Sequence, residues 1–239
     1  VKISELFDQN TYLLDSNVLS DNEKDIFKNI TMYMDDALCC SAVNIMCRYM
    51  QRYYNKKVIV LLDEYDTPMQ EAYIHGYWDE FTAFLRSIFN ATFKTNPYLE
   101  RAVMTGITRV SKESMFSDLN NLNVVTTTSD EYSSCFGFTE EEVFDSLDAF
   151  GLSDKKDEVK QWYDGFTFGS HKDIYNPWSV TSYLDKKRIA PYWASTSSNG
   201  LVSRLLQTAS TQVKELMEEL LRGGTIVVNF DEQIVFNQL

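Results

Sequence analysis

One short run of apolar residues organises the pattern of this chain. Val58 to Leu62 (VIVLL) follows two lysines and leads directly into Asp63-Glu64-Tyr65-Asp66. A continuous apolar run of this length predicts a strand that is buried on both faces, as in a parallel sheet between two layers of helices. Ligands of such sheets bind at the carboxyl ends of the strands. The pattern therefore predicts a site formed by the acids that follow this strand.

Helical periodicity flanks the strand on both sides. Ser20 and Glu23 have the S-x-x-E spacing of a capping box, and apolar residues at helical spacing continue to about Tyr54. This region is too long for one ordinary helix, so we expect a break near Asp35-Asp36. A second amphipathic helix is predicted after the strand by the stripe Phe81, Phe84, Leu85, Ile88 and Phe89.

A second strand is predicted from Leu99 to Thr105 (LERAVMT). Strand, helix and strand at this spacing form a βαβ unit, in which the two strands run parallel. Thr105 and Arg109 would then emerge beside the acids of the first strand. A hydroxyl or guanidinium group at this position of an NTPase can sense the γ-phosphate. The same two residues also fit an ordinary strand end and a surface ion pair, and their spacing leaves both interpretations open.

The character of the sequence changes near Ser129–Ser134. Leu122 to Thr128 (LNVVTTT) predicts a third strand before this boundary, so we expect one domain over residues 1–130 and another over 131–239. The second domain has the pattern of short helices without parallel strands. Its first helix is predicted by the capping box of Thr139 and Glu142.

Additional helix signals and two possible closing strands lie further along the second domain. Asn176 and Pro177 are suited to the first positions of a helix. The closing strands are predicted over Thr225–Phe230 and Gln233–Phe236.

Composition narrows the classes of function. The 239 residues carry a net charge of −13, which argues against a surface built to contact DNA phosphates. The four cysteines have no CxxC spacing, so neither a disulfide framework nor a zinc site is indicated. No apolar run approaches the length of a membrane span, and no signal peptide opens the chain. We therefore expect a cytoplasmic protein that does not contact a membrane.

Asp63 and Glu64 fit the Walker B element of P-loop NTPases. In that element the first acid helps to hold Mg²⁺, usually through water, and the second polarises the attacking water. Asp63 would thus be both a metal-binding and a catalytic residue, and Glu64 the catalytic base. Acids after a strand also cap the next helix, and this short pattern fits that role as well.

Several ordered motifs together resemble the bacterial AAA-ATPase-like family, which is often fused to a C-terminal PD-(D/E)xK nuclease-like domain. The motifs are Leu62–Pro68, Thr105–Ser111, Phe116–Leu122, Phe136–Val143, Trp162–Phe166 and Tyr175–Ser179. The resemblance extends from about Lys56 over nearly all of the remaining chain. It implies a P-loop NTPase core of the AAA/STAND-like type, with ATP and Mg²⁺ as ligands and a helical, winged-helix-like lid. Asp63 and Glu64 fall on the Walker B acids of the family, and Thr105 to Arg109 on its sensor-1 region.

The chain departs from the family pattern in one respect. It contains no GxxxxGK[ST] motif, and its only double glycine, Gly223-Gly224, is followed by Thr225. The P-loop of the family lies before the strand of Asp63, so we expect this chain to be the Walker B, sensor and lid portion of an ATPase. It should bind nucleotide poorly by itself, while the complete protein hydrolyses ATP. The missing strands would leave a sheet edge exposed, through which a homodimer could form.

Three functions remain open from the sequence. The first is an ATPase module that switches an attached or partner effector. The second is a Mg²⁺-dependent nuclease component that uses Asp63, Glu64 and Asp66. Glu158-Val159-Lys160 superficially matches an ExK motif, although it lies in a helical pattern far from these acids. The third is a non-catalytic interaction module in which the ATPase residues are relics.

Overall fold

The computed structural model describes residues 1–107, 116, 119, 121–194 and 200–227, except for the side chains of residues 200 and 201. The chain divides into two compact units. The first unit comprises Val1–Asn121 and Leu201–Leu239, and the second comprises Leu122–Gly200. Each unit contains its own hydrophobic core.

Helices predominate over strands in the described residues. The helices are α1 Lys2–Asp8, α2 Asp21–Asn29, α3 Asp36–Tyr54, α4 Thr67–His75, α5 Trp78–Phe93, α6 Glu140–Ala149, α7 Lys156–Tyr163, α8 Pro177–Lys186, α9 Gly200–Thr208 and α10 Thr211–Leu221. The strands are β1 Val58–Leu62, β2 Leu99–Met104, β3 Phe138–Thr139, β4 Asp164–Phe168 and β5 His171–Tyr175. Single 3₁₀ turns cover Thr11–Leu13 and Ser153–Lys155.

Local capping interactions determine where the first long helices begin. The backbone N–H of Ser20 donates to Oε2 of Glu23 at 3.0 Å, and the N–H of Glu23 donates back to Oγ of Ser20 at 3.4 Å. The predicted capping box is therefore confirmed. The predicted break is confirmed too, because α2 ends at Asn29 and a new helix begins after Asp35, whose carboxylate accepts from the N–H of Leu38 at 2.8 Å.

The first three helices of the first unit enclose an aromatic core. The Phe7 and Phe27 rings meet edge to face at 4.8 Å, and Phe27 stacks with Tyr49 at 6.4 Å. Tyr49 is fully buried and donates its hydroxyl to the backbone oxygen of Glu23 at 3.3 Å. This bond ties the middle of α3 to α2, and it satisfies a polar group that would otherwise be buried without a partner.

Strands β1 and β2 form the parallel pair that the spacing predicts. Val58 pairs with Leu99 at one end and Leu62 with Met104 at the other, with α4 and α5 between the strands in sequence. Leu62 and Met104 pack against a buried cluster that includes Phe89. The order and direction of these elements confirm a mixed α/β fold with a small parallel sheet.

The prediction that β1 is buried on both faces is wrong for the part of the chain that the structure describes. The side chains of Ile59 and Leu61 are 55% and 76% exposed, while their neighbours Val58, Val60 and Leu62 are half-buried. A continuous apolar run does not reveal which of its two faces a helix covers, since both faces carry apolar side chains. Only one face is covered here.

The second unit contains an antiparallel sheet that the sequence pattern did not predict. Its three strands have the order β3-β5-β4, and Asp164 of β4 pairs with Tyr175 of β5. Helices α6, α7 and α8 pack around Val143, Val159 and Tyr175, which are fully buried. The predicted caps of these helices are confirmed, because Thr139 accepts from the N–H of Glu142 and Asn176 caps α8.

The strand predicted over Leu122–Thr128 is absent. The backbone N–H of Thr126 donates to Oγ of Ser129 at 3.0 Å, and the carbonyl of Thr127 accepts from Gly169 at 2.8 Å. These turn contacts replace the regular ladder of a strand. The first residues of the predicted strand Thr225–Phe230 are not in a strand either, and its remainder, like Gln233–Phe236, lies outside the described residues.

Among the described ranges, no helix is both long enough and apolar enough to cross a bilayer.

Candidate functional site

The carboxyl ends of β1 and β2 are joined by two backbone hydrogen bonds. The N–H of Thr105 donates to the carbonyl of Leu62 at 2.9 Å, and the N–H of Tyr65 donates to the carbonyl of Thr105 at 3.0 Å. These bonds continue the parallel ladder beyond the last paired residues. As a result, the loop after β1 is held beside the residues that follow β2.

Asp63 and Thr105 are in direct contact at this edge. The Thr105 hydroxyl donates a hydrogen bond to Oδ1 of Asp63, and the backbone N–H of Glu64 donates to the same oxygen at 3.1 Å. Both donors are neutral, so the carboxylate is oriented without being neutralised. Asp63 is exposed to solvent, whereas Thr105 is half-buried. The structure thus brings together two of the four predicted site residues.

Glu64 follows with an exposed side chain and an unusual backbone. Its φ angle is +51°, in the left-handed region that disfavours residues with a Cβ atom. This conformation costs a residue other than glycine about 1 kcal/mol, so the surrounding contacts must hold it in place. The strained residue is the one that the sequence pattern marks as the catalytic base.

Asp66 differs from the other two acids of the loop because it is buried. Only 1% of its surface is exposed. Its Oδ2 accepts hydrogen bonds from the backbone N–H of Ile107 and from Nε2 of Gln70, both at 3.1 Å. Asp66 therefore links the loop after β1 to the chain after β2.

Because Gly106 has no side chain, there is room beside it for the carboxylate of Asp66. A Cβ atom at this glycine would lie 2.5 Å from Oδ1 of Asp66 and 2.8 Å from Cε1 of Tyr65. The ring of Tyr65 in turn contacts Phe116 edge to face at 5.5 Å. The pairing of Gly106 with Asp66 was not predicted. The glycine that directly follows Thr105 was the available signal, since close backbone approach is a common reason for glycine after a strand.

Arg109, the other predicted ligand-binding residue, lies outside the described residues. Its proximity to Thr105 therefore stays a prediction.

The donor set at the strand ends limits the kind of metal site that can form. Across the residues that the structure describes, no group of three or more histidine, cysteine or acidic side chains could hold a metal ion. Asp63 offers an exposed carboxylate, and both of its hydrogen bonds are accepted by Oδ1. This arrangement fits a Mg²⁺ ion that keeps most of its water ligands, because Mg²⁺ is commonly bound through one or two carboxylates.

The cysteines do not form an alternative site. All four are free thiols. Burial raises the pKa values of Cys39, Cys40 and Cys47 above the ordinary thiol value, which reduces their reactivity at neutral pH.

The fold and the site together define an α/β protein with an acid pair at the end of a parallel strand. Residues 6–116 match the model of the AAA-ATPase-like family, which is described as predicted AAA-ATPases. The match covers slightly less than half of the 239 residues of the chain. The match begins well before Lys56 and includes both strands with Asp63, Glu64 and Thr105.

One relative is an uncharacterized protein in the vnfD 5′ region of Azotobacter chroococcum mcd 1. It is 31% identical to this chain over 178 residues, which is 74% of this chain and 34% of the relative. The chain therefore spans about a third of the relative's length. No solved structure matches the chain.

Proposed function

We propose that this chain is the Walker B, sensor and lid part of an ATPase, whose nucleotide state switches an attached or partner effector. The observation that carries the proposal is the hydrogen bond from the Thr105 hydroxyl to Asp63 at the adjoining ends of two parallel strands, with Glu64 exposed beside it. The family match over residues 6–116 supports the same class of protein.

Asp63 has the surroundings that a Walker B aspartate requires. One of its oxygens is oriented by neutral donors, so its negative charge remains available for Mg²⁺ held through water. Mg²⁺ would supply charge neutralisation at the phosphates of ATP. The role of Asp63 is to position that charge.

Glu64 is the proposed base. Its exposed carboxylate can accept a proton or a hydrogen bond from an attacking water, and its backbone has the left-handed conformation directly after the end of β1. Thr105 is the proposed sensor, since its hydroxyl already links β2 to Asp63. A change in the ligand of Asp63 would alter this bond and move the end of β2. Arg109 would complete the sensor.

Nucleotide binding by this chain requires further residues. Its sequence contains no GxxxxGK[ST] motif, and the relative is about three times as long as the matched region. The backbone N–H groups and lysine that cradle phosphates would come from another part of the complete protein. The second unit would act as the lid. A nuclease-like C-terminal domain of the complete protein, or a homodimer through the edge of the β1–β2 sheet, is the proposed partner.

No observation favours the nuclease alternative. Asp66 is buried and bonded to Ile107 and Gln70, so it is not aligned with the two exposed acids as a third metal ligand. Lys160 of the ExK motif pairs with Glu140 and Asp173 in the second unit. The remaining alternative, a non-catalytic interaction module in which the ATPase residues are relics, is decided by the following experiment.

The test compares ATP binding and turnover with Mg²⁺ for this chain and for a version extended upstream to include any P-loop. The variant Glu64→Gln is made in both. We expect the extended protein to bind and hydrolyse ATP, and Glu64→Gln to keep binding while turnover falls by about 10²-fold or more. The same fall is expected in phosphate release measured at saturating ATP, because the base acts after binding.

Glu71→Gln is the matched control. Glu71 is an exposed acid on α4 that pairs with His75 at 3.3 Å, and its loss should leave turnover unchanged. If the extended protein binds no nucleotide, the ATPase assignment is wrong and the interaction-module alternative replaces it. If Glu64→Gln turns over ATP at the unmodified rate, Glu64 is not the base.

A further inference from the structure

Helix α4 is held at both ends by contacts with distant parts of the first unit. It begins after Asp66, which is buried and accepts the N–H of Ile107 at 3.1 Å. At its last turn the carbonyl of Ile74 accepts a hydrogen bond from the guanidinium group of Arg204, which lies on α9, 130 residues further along the chain. The nine residues of α4 span about 13 Å, so one short helix connects the strand ends with α9.

The contact with Arg204 satisfies a group that α4 itself leaves open. The last four carbonyls of a helix have no partner within the helix. The N–H groups of Gly76 and Tyr77 both donate to the carbonyl of Ala72, and the guanidinium group of Arg204 supplies the donor for Ile74. The positive charge of Arg204 also lies at the negative end of the helix dipole, where a cation is favoured. Arg204 therefore caps α4 from another helix.

An aromatic ring of the same turn supports the guanidinium group. Its central carbon lies 5.9 Å from the centroid of the Tyr73 ring, within the range of a cation–π interaction. The Tyr73 ring in turn meets the indole of Trp78 edge to face at 6.3 Å. Arg204 is thus held by a carbonyl and a ring from neighbouring residues of α4, which fixes the position of this helix end relative to α9.

The other end of α4 is joined to the candidate functional site. The N–H of Thr67, the first residue of α4, donates to the carbonyl of Glu64 at 3.2 Å. The N–H of Gln70 donates to the backbone carbonyl of Asp66 at 2.9 Å, while the Asp66 side chain accepts from Ile107. A shift of the α4 axis would therefore displace both the loop that carries Glu64 and the chain that follows β2.

The middle of α4 is packed closely enough to transmit such a shift. Met69 and Ala72 are fully buried, and Met69 lies in one cluster with Phe89 of α5. Closely packed protein interiors have low compressibility and transmit strain instead of absorbing it. The two ends of α4 should therefore move together.

We propose that Arg204 is a positioning residue of the ATPase site, because it holds α4 and thereby the Glu64 loop and the end of β2. This inference rests on the proposed function, in which Glu64 is the base. Helix α9 begins at Gly200, where the chain leaves the second unit, and Arg204 lies about one turn further on. A change in the lid that displaces α9 would break the contact of Arg204 with Ile74 and loosen the site.

The experiment measures amide hydrogen exchange by NMR on the full chain without nucleotide. The N–H groups to follow are those of Ile107 and Tyr65, which form hydrogen bonds at the strand ends. Arg204→Gln removes the charge from an exposed side chain, and both groups should then exchange about fivefold faster, since the loss of the cap loosens α4. Arg204→Lys keeps a charged donor and should restore most of the protection.

Arg222→Gln on α10 is the matched control. Arg222 is exposed and pairs with Glu218 of its own helix at 3.1 Å, so its replacement changes the net charge by the same amount without affecting α4. The exchange of Ile107 and Tyr65 should stay unchanged in this variant. The N–H of Leu147, a buried residue of α6 in the second unit, is the internal reference and should exchange equally in all variants.

Three results would overturn the inference. The first is faster exchange confined to Gly76 and Tyr77, which would make Arg204 a local cap only. The second is an equal acceleration in Arg222→Gln. The third is an unchanged kcat of Arg204→Gln in the extended protein, where we expect kcat to fall about fivefold at unchanged KM. Absent ATP binding by the extended protein would instead overturn the proposed function, and the two failures are distinguishable because exchange is measured without nucleotide.

Discussion

Two acidic sites, one in each unit, are held in opposite ways. In the first unit Asp63 accepts from a hydroxyl and a backbone N–H, and no lysine or arginine among the described residues forms an ion pair with it or with Glu64. In the second unit Glu140 accepts from the Lys160 ammonium and from the Tyr175 hydroxyl, the latter at 3.1 Å. The first arrangement orients a charge, whereas the second neutralises it.

This difference separates acids that can act on a ligand from acids that hold the fold. An exposed carboxylate oriented by neutral donors keeps its charge for Mg²⁺ or for a proton. A carboxylate paired with a lysine and a buried tyrosine has its charge neutralised within the fold. Within the first unit, buried Asp66 belongs with the structural group, although it lies only three residues from Asp63.

The largest effect is expected from filling the space beside Asp66. Gly106→Ala would place a methyl group 2.5 Å from Oδ1 of Asp66 and 2.8 Å from the Tyr65 ring. Because Asp66 is buried and hydrogen-bonded, neither neighbour can move freely, and we expect a loss of about 2–3 kcal/mol in the free energy of unfolding. Urea unfolding followed by circular dichroism measures it.

Gly165→Ala is the matched control in the second unit. No atom lies within 4 Å of a Cβ built at Gly165, so the change should stay within about 0.5 kcal/mol. Equal effects of the two substitutions would mean that close packing at Gly106 does not hold the strand ends together.

A second prediction tests the division between structural and chemical acids. Asp66→Ala removes the acceptor of the Ile107 N–H and of Gln70, and should lower the free energy of unfolding by about 1–2 kcal/mol. Asp63→Ala removes an exposed acceptor and should change it by less than about 0.5 kcal/mol. Thermal or urea unfolding of both variants at neutral pH gives the comparison. A larger loss for Asp63→Ala than for Asp66→Ala would reverse the assignment of the two acids.

Sequence reasoning succeeded where the interactions are local or follow from chain direction. Both capping boxes join residues three apart, so their spacing alone predicts them. The parallel pairing of β1 and β2 follows from the helices between them. The contact of Thr105 with Asp63 follows from the same argument, because two parallel neighbours end at one edge.

The features that the sequence did not predict depend on contacts between residues that lie far apart in the chain. The hairpin of β4 and β5 turns at Gly169, where a Cβ atom would lie 2.7 Å from the carbonyl oxygen of Ser129. The N–H of Ser170 donates to Asp130 at 2.7 Å, so the turn is fixed by a segment 40 residues earlier. The same contacts occupy the region after Leu122, where a strand was wrongly predicted. The burial of Asp66 likewise depends on Ile107, 41 residues away.

The smallest effect is expected from Asp164, which falls between the acids that can act on a ligand and the acids that hold the fold. Burial and the neighbouring Asp173 raise the pKa of Asp164 in the folded protein above its ordinary value of 3.8. A raised carboxyl pKa means that the folded state binds the proton more tightly than the unfolded state. This contribution to stability is complete below pH 3.8 and is lost as the pH rises through the pKa of the folded protein.

Asp164→Asn removes this titration, and its stability relative to the unmodified chain should therefore increase as the pH rises from 4 towards 7. Asp145→Asn, which changes an exposed acid of the same unit, should show no such trend. Tryptophan emission during urea unfolding is a suitable readout, because three of the four tryptophans lie in the second unit. A flat stability difference across this pH range would mean that the charge of Asp164 is compensated in the folded protein as fully as the charge of Glu140.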